Sequence, residues 1–285
     1  MITRTFTGPK PRHSLPKGAI DSQTHMYLPG FPAAQGAMPL PDAPLPGPDE
    51  YRKVMEWLGI SRVVVTQGNA HGTDNDNLLA ALAQMGDVAR GVACITGNTP
   101  DAELQRLHDG GIRGARIMDL PGGAVKLDQL EPVSSRATQM GWMMAVQFDG
   151  SGIATHYDRL SQLPCNWVLD HHGKFFSGIT PDSTQLALVK RLIDKGNCWF
   201  KFSGCYESSL TGGPDYADIA AVARDIAAYA PERIVWGSNF PHNMAGALGH
   251  YPDDVALLDL AQEWMGNDAT RQLALVDNPT ALFGF

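Results

Sequence analysis

Short apolar runs of strand length alternate eight times with amphipathic stretches of helix length along this chain. Runs rich in β-branched and aromatic residues read as buried strands, and apolar positions recurring every three or four residues read as helices with one face on a core. The strands fall at 18–23, 62–66, 90–95, 113–118, 143–148, 166–169, 198–202 and 234–236. Helices follow at 49–58, 75–85, 101–109, 127–140, 157–162, 183–195, 216–229 and 254–264. Punctuation agrees: Asp101 follows Pro100 at a helix start, and Gly196 stands just past a helix end. The alternation predicts an α/β fold of parallel strands joined by crossover helices. Eight repeats without a ninth strand predict closure into a (β/α)8 TIM barrel, and no GxGxxG follows the first strand to favour an open doubly wound sheet. Beyond the eighth helix, 268–285 predicts a small helix and an apolar tail, Ala281-Leu-Phe-Gly-Phe285, packed on the outside of the barrel.

Two segments escape this pattern. Residues 1–17, with Pro9, Pro11 and Pro16, read as an irregular strap laid on the barrel. Residues 27–48 carry Pro29, Pro32, Pro39, Pro41, Pro44, Pro46 and Pro48, which excludes helix and central strand and favours extended polyproline geometry. Such a segment is either an interdomain linker or, because it follows strand one directly, a semi-rigid flap over the active face. The flap fits a single domain spanning 1–285, a length normal for a barrel that typically needs about 250 residues.

Composition narrows the function classes. A hydrophobic fraction of 44% with 18% charged residues describes a globular chain with a sizeable core. The net charge of −8, with no basic run, disfavours nucleic acid and anionic membrane surfaces as partners. No run approaches the ~20 apolar residues that span a bilayer, and 1–17 lacks the apolar core of a secretory signal, so a cytoplasmic enzyme is expected. Cys94, Cys165, Cys198 and Cys205 show no CxxC spacing and are expected to be buried free thiols.

The strand ends carry the chemistry. Gln23 and His25 share a face after strand one because strand side chains alternate. Gln67, Asn69 and His71 follow strand two, Arg116 lies in strand four, and Gln147 ends strand five. Asp170-His171-His172-Gly-Lys174 follows strand six, Lys201, Ser203, Tyr206 and Glu207 strand seven, and Asn239, His242 and Asn243 strand eight. A barrel interior is normally filled by Val, Ile and Leu, so polar residues converging on one rim point to a site. Singly, many have plainer readings: His71 and His172 as partners of loop backbone, Asp170 as an orienting group, Lys174 and Glu207 as solvated loop charges. Arg116, inside an apolar strand, needs an anion, either a core carboxylate or a bound substrate.

Taken together, the strand-one Gln23-Thr-His25, His71-Gly-Thr-Asp-Asn75, Gly114-Ala-Arg116, Asp170-His171-His-Gly173, Lys201-Phe-Ser-Gly204 and Trp236-Gly-Ser-Asn-Phe-Pro-His242 elements resemble the amidohydrolase superfamily, over the whole chain. The likeness is to its lactonase branch, which acts on carboxylated lactones such as 2-pyrone-4,6-dicarboxylate. Asp21-Ser-Gln-Thr-His-Met-Tyr-Leu-Pro-Gly30, Thr66-Gln-Gly-Asn-Ala-His71, Ala115-Arg-Ile-Met-Asp-Leu-Pro-Gly-Gly-Ala124 and Val146-Gln-Phe-Asp-Gly150 are closer still to the sugar-acid lactone isomerases in that branch. That resemblance implies conversion of D-galactaro-1,5-lactone to the 1,4-lactone in uronate catabolism, with a small-molecule lactone as the only partner and the oligomeric state left open. The superfamily holds a divalent metal through two strand-one histidines and a strand-eight aspartate; here these positions are Gln23, His25 and Asn239, so neither a catalytic metal nor another cofactor is expected. Asn239 also replaces the base that activates water in the lactonases, and an amide cannot take a proton. An intramolecular hydroxyl needs less help, since effective molarities reach ~10⁵ M or more.

On this reading His25, His171 and Asn239 are catalytic, as donors to the oxyanion, with His171 also a candidate proton shuttle. Arg116, helped by Lys174 or Lys201, is expected to hold the free carboxylate, and Gln23, Gln67, His71, Gln147, Tyr206 and His242 to line the substrate. Three rivals stand beside it: a hydrolase using Glu207 or His171 as its base, a weak zinc site at His25, His171 and His172, and a catalytically dead barrel that binds sugar acids.

Overall fold

A computed structural model describes residues 2–285. Eight parallel strands lie in sequence order, β1 (Ile20–Thr24), β2 (Arg62–Thr66), β3 (Ala89–Ala93), β4 (Ile112–Asp119), β5 (Met143–Phe148), β6 (Trp167–Leu169), β7 (Cys198–Phe202) and β8 (Ile234–Trp236). The crossover helices are α1 (Pro48–Leu58), α2 (Asp76–Met85), α3 (Asp101–Asp109), α4 (Leu130–Met140), α5 (Ile153–Ser161), α6 (Thr184–Ile193) and α7 (Ala217–Tyr229). A short α8 (Ala245–Leu248) precedes α9 (Asp254–Met265), and α10 (Asp268–Gln272) and α11 (Asn278–Phe283) complete the chain. The expected (β/α)8 barrel is thus present, with element ends shifted by a few residues. α5 starts earlier than expected because Asp149 accepts a hydrogen bond from the Ser151 backbone and turns Gly150–Gly152 into a first helical turn instead of a loop.

Alternation along the strands sorts side chains into two cores. Outward residues such as Val63, Val65, Ile117 and Phe200 pack against the helices. Inward residues, among them Ile20, Val64, Val92, Val168, Trp199 and Val235, form a second cluster inside the barrel. Leu282 and Phe283 join that inner cluster, and the Phe285 ring lies 5.1 and 4.9 Å from the guanidinium carbons of Arg62 and Arg90 at the starts of β2 and β3. The tail therefore closes the N-terminal mouth of the barrel. The expectation that it packs on the outside is corrected: only this opening leaves inward apolar residues uncovered.

The eighth strand meets the first through an irregular seam. Thr24 and Phe240 form a parallel bridge, His25 N–H donates to Phe240 O (2.7 Å), and Asn239 N–H donates to Gln23 O (2.9 Å). Buried Asp21 stitches the same place, accepting from the backbone N–H groups of Gln23 (3.0 Å) and Ser238 (2.9 Å) and from the Tyr51 hydroxyl (2.8 Å). Residues 2–17 cross the outside of this seam: Trp57 of α1 donates to Pro9 O (2.7 Å), and Arg12 pairs with Asp259 and Glu263 of α9. Segment 27–48 is pinned over the β2 side of the active face, with Ala34 N–H donating to Ala70 O (2.7 Å) and His71 Nδ1 to Pro32 O (3.2 Å).

His172 does not serve loop backbone. Its ring sits behind the barrel wall among Phe200, Phe202 and Trp264, with centroids 6.0, 5.1 and 5.7 Å away, and burial lowers its pKa to about 3. All four cysteines are free and buried.

Two stability outcomes follow from these placements. Phe283→Ala opens a hole at the barrel mouth and is expected to cost about 3–5 kcal/mol, read from guanidinium unfolding midpoints. Below about pH 6.5 the unfolded chain binds a proton at His172 that the folded chain refuses, so stability falls with pH from there toward 3, by about 1 kcal/mol at pH 5.5 from this ring alone. Urea midpoints at pH 7 and 5.5 should lie closer together in His172→Phe than in the parent chain.

Candidate active site

The inward alternation that is apolar deep in the barrel turns polar toward the C-terminal ends of the strands. Thr66, Arg116, Gln147, Asp170, Lys201 and Ser203 are the inward residues there, and all are buried. Such burial is tolerated only where each charge finds a partner. Lys201 is 1% exposed and its ammonium pairs with Asp170 (2.9 Å) while donating to Gln23 Oε1 (2.8 Å). Burial opposes charge on Asp170, but Lys201 and His171 outweigh it and hold the carboxyl well below its usual range. Lys201 is thus spent on Asp170, which corrects its expected role as a second clamp on substrate. Asp170 orients its neighbours as expected, also accepting from the His171 backbone (3.2 Å).

Arg116 behaves differently. Its guanidinium donates to Gln67 O (2.9 Å), Asn69 Oδ1 (3.2 Å) and Gln147 Oε1 (3.0 Å), all neutral, and its Nε has no partner. Among the described residues no carboxylate lies within 4.0 Å of it. A core carboxylate is therefore not its counterion, and the charge is met by neutral acceptors alone.

The three expected catalytic residues do converge, but their hydrogen bonds define their roles more narrowly. His25 donates from Nδ1 to Thr66 O (2.9 Å), so its Nε2 presents a lone pair, 3.3 Å from the Gln23 amide nitrogen. Burial, with nearby Arg116, lowers its pKa to about 3. His25 accordingly accepts hydrogen bonds and does not donate to an oxyanion as expected. His171 Nε2 lies 3.1 Å from Asn239 Oδ1 and its Nδ1 3.2 Å from Asp170 Oδ1, and burial lowers this ring's pKa against the pull of Asp170. Asn239 spends its own N–H groups on Tyr206 Oη (2.9 Å) and Glu207 Oε1 (2.7 Å). The carboxylate at one end and the imidazole at the other fix which way the amide points.

Behind Asn239 a relay runs outward: Tyr206 donates to His242 Nδ1 (2.7 Å), and His242 Nε2 donates to Asp254 (2.9 Å) at the start of α9. Both His242 nitrogens are committed, so it positions Tyr206 and does not touch a ligand. Gln67 turns its amide nitrogen to Gly72 O (3.3 Å) and Asp74 O (2.5 Å), its Oε1 is buried without a hydrogen-bond partner among the described residues, and its backbone carbonyl accepts from Arg116. His71 holds the 27–48 segment. Gln23 is buried with Oε1 held by Lys201 and Thr66 and Nε2 by His25, and Tyr206 stands between Asn239 and His242, so of the expected lining residues it is Gln147, held by Arg116 through Oε1, that keeps its amide nitrogen uncommitted among the described residues. Lys174 and Glu207, expected to be solvated, are a buried ion pair in direct contact, their side chains 6% and 9% exposed. Asp21 and Asp254, which order this rim from behind, carry no local signal: each is one acid among many, and only the tertiary contacts single it out.

Backbone geometry enforces the arrangement. His171, His172, Gly173 and Lys174 run consecutively through left-handed conformations (φ 49, 51, 75 and 49°), and Asn239 and His242 adopt φ of 66 and 55°. Non-glycine residues held there store strain, which clusters at functional sites. Gly204 is required between them, since a Cβ would lie 2.8 Å from the His171 ring and 3.1 Å from Asn239 Nδ2.

These residues do not suit a divalent metal. Among the described residues no three His, Cys, Asp or Glu side chains are grouped to hold one, and His172, a candidate ligand, faces the outer aromatic layer. The Lys201 ammonium already neutralises Asp170, and Gln23 and Asn239 offer only neutral oxygens.

Comparison with known proteins accords with this geometry. The family profile described as Amidohydrolase matches residues 20–285. The chain is 52% identical to D-galactarolactone isomerase of Agrobacterium fabrum over 282 residues, covering 99% of this chain and 96% of that protein. It is 33% identical to 2-pyrone-4,6-dicarboxylate hydrolase of Comamonas testosteroni, covering 96% and 92%. The apo crystal structure of an Agrobacterium tumefaciens protein superposes with a TM-score of 0.96 at 52% identity, covering 99% of each chain. On its barrel, its rim residues and these matches, the chain belongs to the amidohydrolase family.

Proposed function

We propose that this protein is a sugar-acid lactone isomerase that converts D-galactaro-1,5-lactone to the 1,4-lactone by intramolecular acyl transfer, without a metal. The observation that carries the reading is Asn239. At the position where the lactonase branch keeps its water-activating base stands an amide whose N–H groups are both spent on Tyr206 and Glu207. It cannot deprotonate water, whereas a hydroxyl of the substrate itself needs only to be held near the carbonyl. The 52% identity to an enzyme named D-galactarolactone isomerase supports the same substrate class.

The rim residues divide the work. Arg116, lacking a carboxylate partner, takes the free carboxylate and sets the register of the sugar chain. Gln147, which meets Arg116 through Oε1 and keeps its amide nitrogen, binds hydroxyl groups. As the C4 hydroxyl adds to C1, charge grows on the carbonyl oxygen, and His171 turns its N–H from Asn239 to that oxygen. Collapse then expels O5 and leaves the five-membered lactone.

Hydrolysis is the second reading, favoured by one observation: the Glu207 carboxylate lies beside Asn239 and is chemically able to activate water. An NMR time course on fresh 1,5-lactone in H2¹⁸O separates the two. Isomerisation yields unlabelled 1,4-lactone; label appearing in an open-chain acid as the main product would overturn the proposal. Exhaustive chelation is expected to leave the rate unchanged, and activity lost on chelation and restored by zinc would refute the metal-free part.

Two variants sharpen the assignment. Arg116→Met is expected to weaken binding of the lactone by about 100-fold, seen as a higher KM, because one charge-assisted clamp is lost. Asn239→Asp places a carboxylate where the branch keeps its base and is expected to raise hydrolysis relative to isomerisation; an unchanged product ratio would remove Asn239 from the centre of the mechanism.

A further inference from the structure

Isomerisation of a lactone takes a proton from the attacking hydroxyl and returns one to the departing oxygen. These two oxygens sit on adjacent carbons of the sugar acid, so the groups that handle the protons must themselves be neighbours. The rim offers few. His25 gains a proton only near pH 3, Asp170 is locked by Lys201, Asn239 has no basic atom, and His171 is held at both ring nitrogens, 3.2 Å from Asp170 and 3.1 Å from Asn239.

Lys174 and Glu207 are left, and the fold goes to some length to bring them there. The left-handed run 171–174 delivers Lys174, and Gly204 allows Glu207 to stand beside the His171 ring and Asn239, its carboxyl carbon 3.4 Å from where a Cβ would be. Glu207 Oε1 accepts from Asn239, and Oε2 contacts the Lys174 ammonium directly. Neither side chain has a further partner that the fold requires.

We propose that Glu207 and Lys174 are the general base and general acid of the isomerisation, acting as one contact pair beside Asn239. As the C1–O4 bond forms, the O4 proton passes to Glu207. As the C1–O5 bond breaks, a proton of Lys174 passes to O5. Turnover leaves a carboxylic acid touching an amine, and the proton crosses between them to restore carboxylate and ammonium with no exchange with solvent. Burial assists by lowering Lys174 to about 7, which makes the ammonium a readier acid near neutrality. The inference rests on the isomerase reading and extends it by naming the groups that move the protons.

Lys174→Arg and Glu207→Gln test it. Arginine keeps the ion pair but does not release a proton at neutral pH, and glutamine keeps the shape but cannot take one. Each is expected to lower kcat for isomerisation by at least about 100-fold while KM stays within about threefold and thermal melting shows a folded barrel. Glu207→Asp should retain more activity than Glu207→Gln, and with Lys174→Arg it carries the test if the glutamine variant does not fold. A kcat within about fivefold of the parent in either Lys174→Arg or Glu207→Gln, or a loss confined to KM, would overturn the proposal. Failure of the parent enzyme itself to form any 1,4-lactone would instead overturn the isomerase reading.

Discussion

The seam where β8 meets β1 is the constraint on which this barrel and its site both depend. Regular pairing ends at Trp236, and closure passes to Asp21, whose carboxylate holds the Gln23 and Ser238 backbones and the Tyr51 hydroxyl. Burial raises its pKa to about 6 while these donors oppose the rise, so the stitch works as an acceptor that the surroundings only partly favour in charged form. The residues it fixes, Gln23 to His25 and Ser238 to Phe240, bear the amide, the imidazole and the Asn239 carboxamide of the rim. Closing the sheet and assembling the site are therefore one event.

Charge is the second constraint. Asp170 and Lys201 are buried in a barrel whose lower interior is hydrocarbon, and a buried ion pair costs several kcal/mol per ion before attraction returns it. Their pairing makes the floor of the site electrically neutral and rigid. Against that floor Arg116, met by neutral acceptors alone, stands out as an attractor for an anion, so recognition on β4 and scaffold at the end of β6 and on β7 are electrostatically separate within one barrel.

Most of the fold was legible because strand and helix periods alternate cleanly, and β2, α3, β5, β7 and β8 fall where the pattern puts them. The tail was not: Leu282 and Phe283 are equally apolar inside or outside, and only the uncovered N-terminal mouth decides. At the site, positions were readable but directions were not. A strand end tells that His25, Gln67 or His242 is near the rim; which ring nitrogen or amide atom faces the cavity depends on Thr66 O, Asp74 O and Asp254, partners brought from elsewhere in the chain. Lys174 and Glu207 show the same limit, since charges in loops look solvated until a left-handed turn and a glycine bring them together.

The proline-rich segment over the β2 side of the site has a kinetic meaning. It is held by Ala70 and His71 on one side and by Arg4, which donates to Pro44 O (2.8 Å) and Asp42 O (2.9 Å), on the other. A cover tied at both sides and stiff in its own backbone lowers the local activity of water at the carbonyl without a closing motion. Exclusion of water is then a standing property of the fold, and it adds to the amide at Asn239 in favouring ring exchange over ring opening.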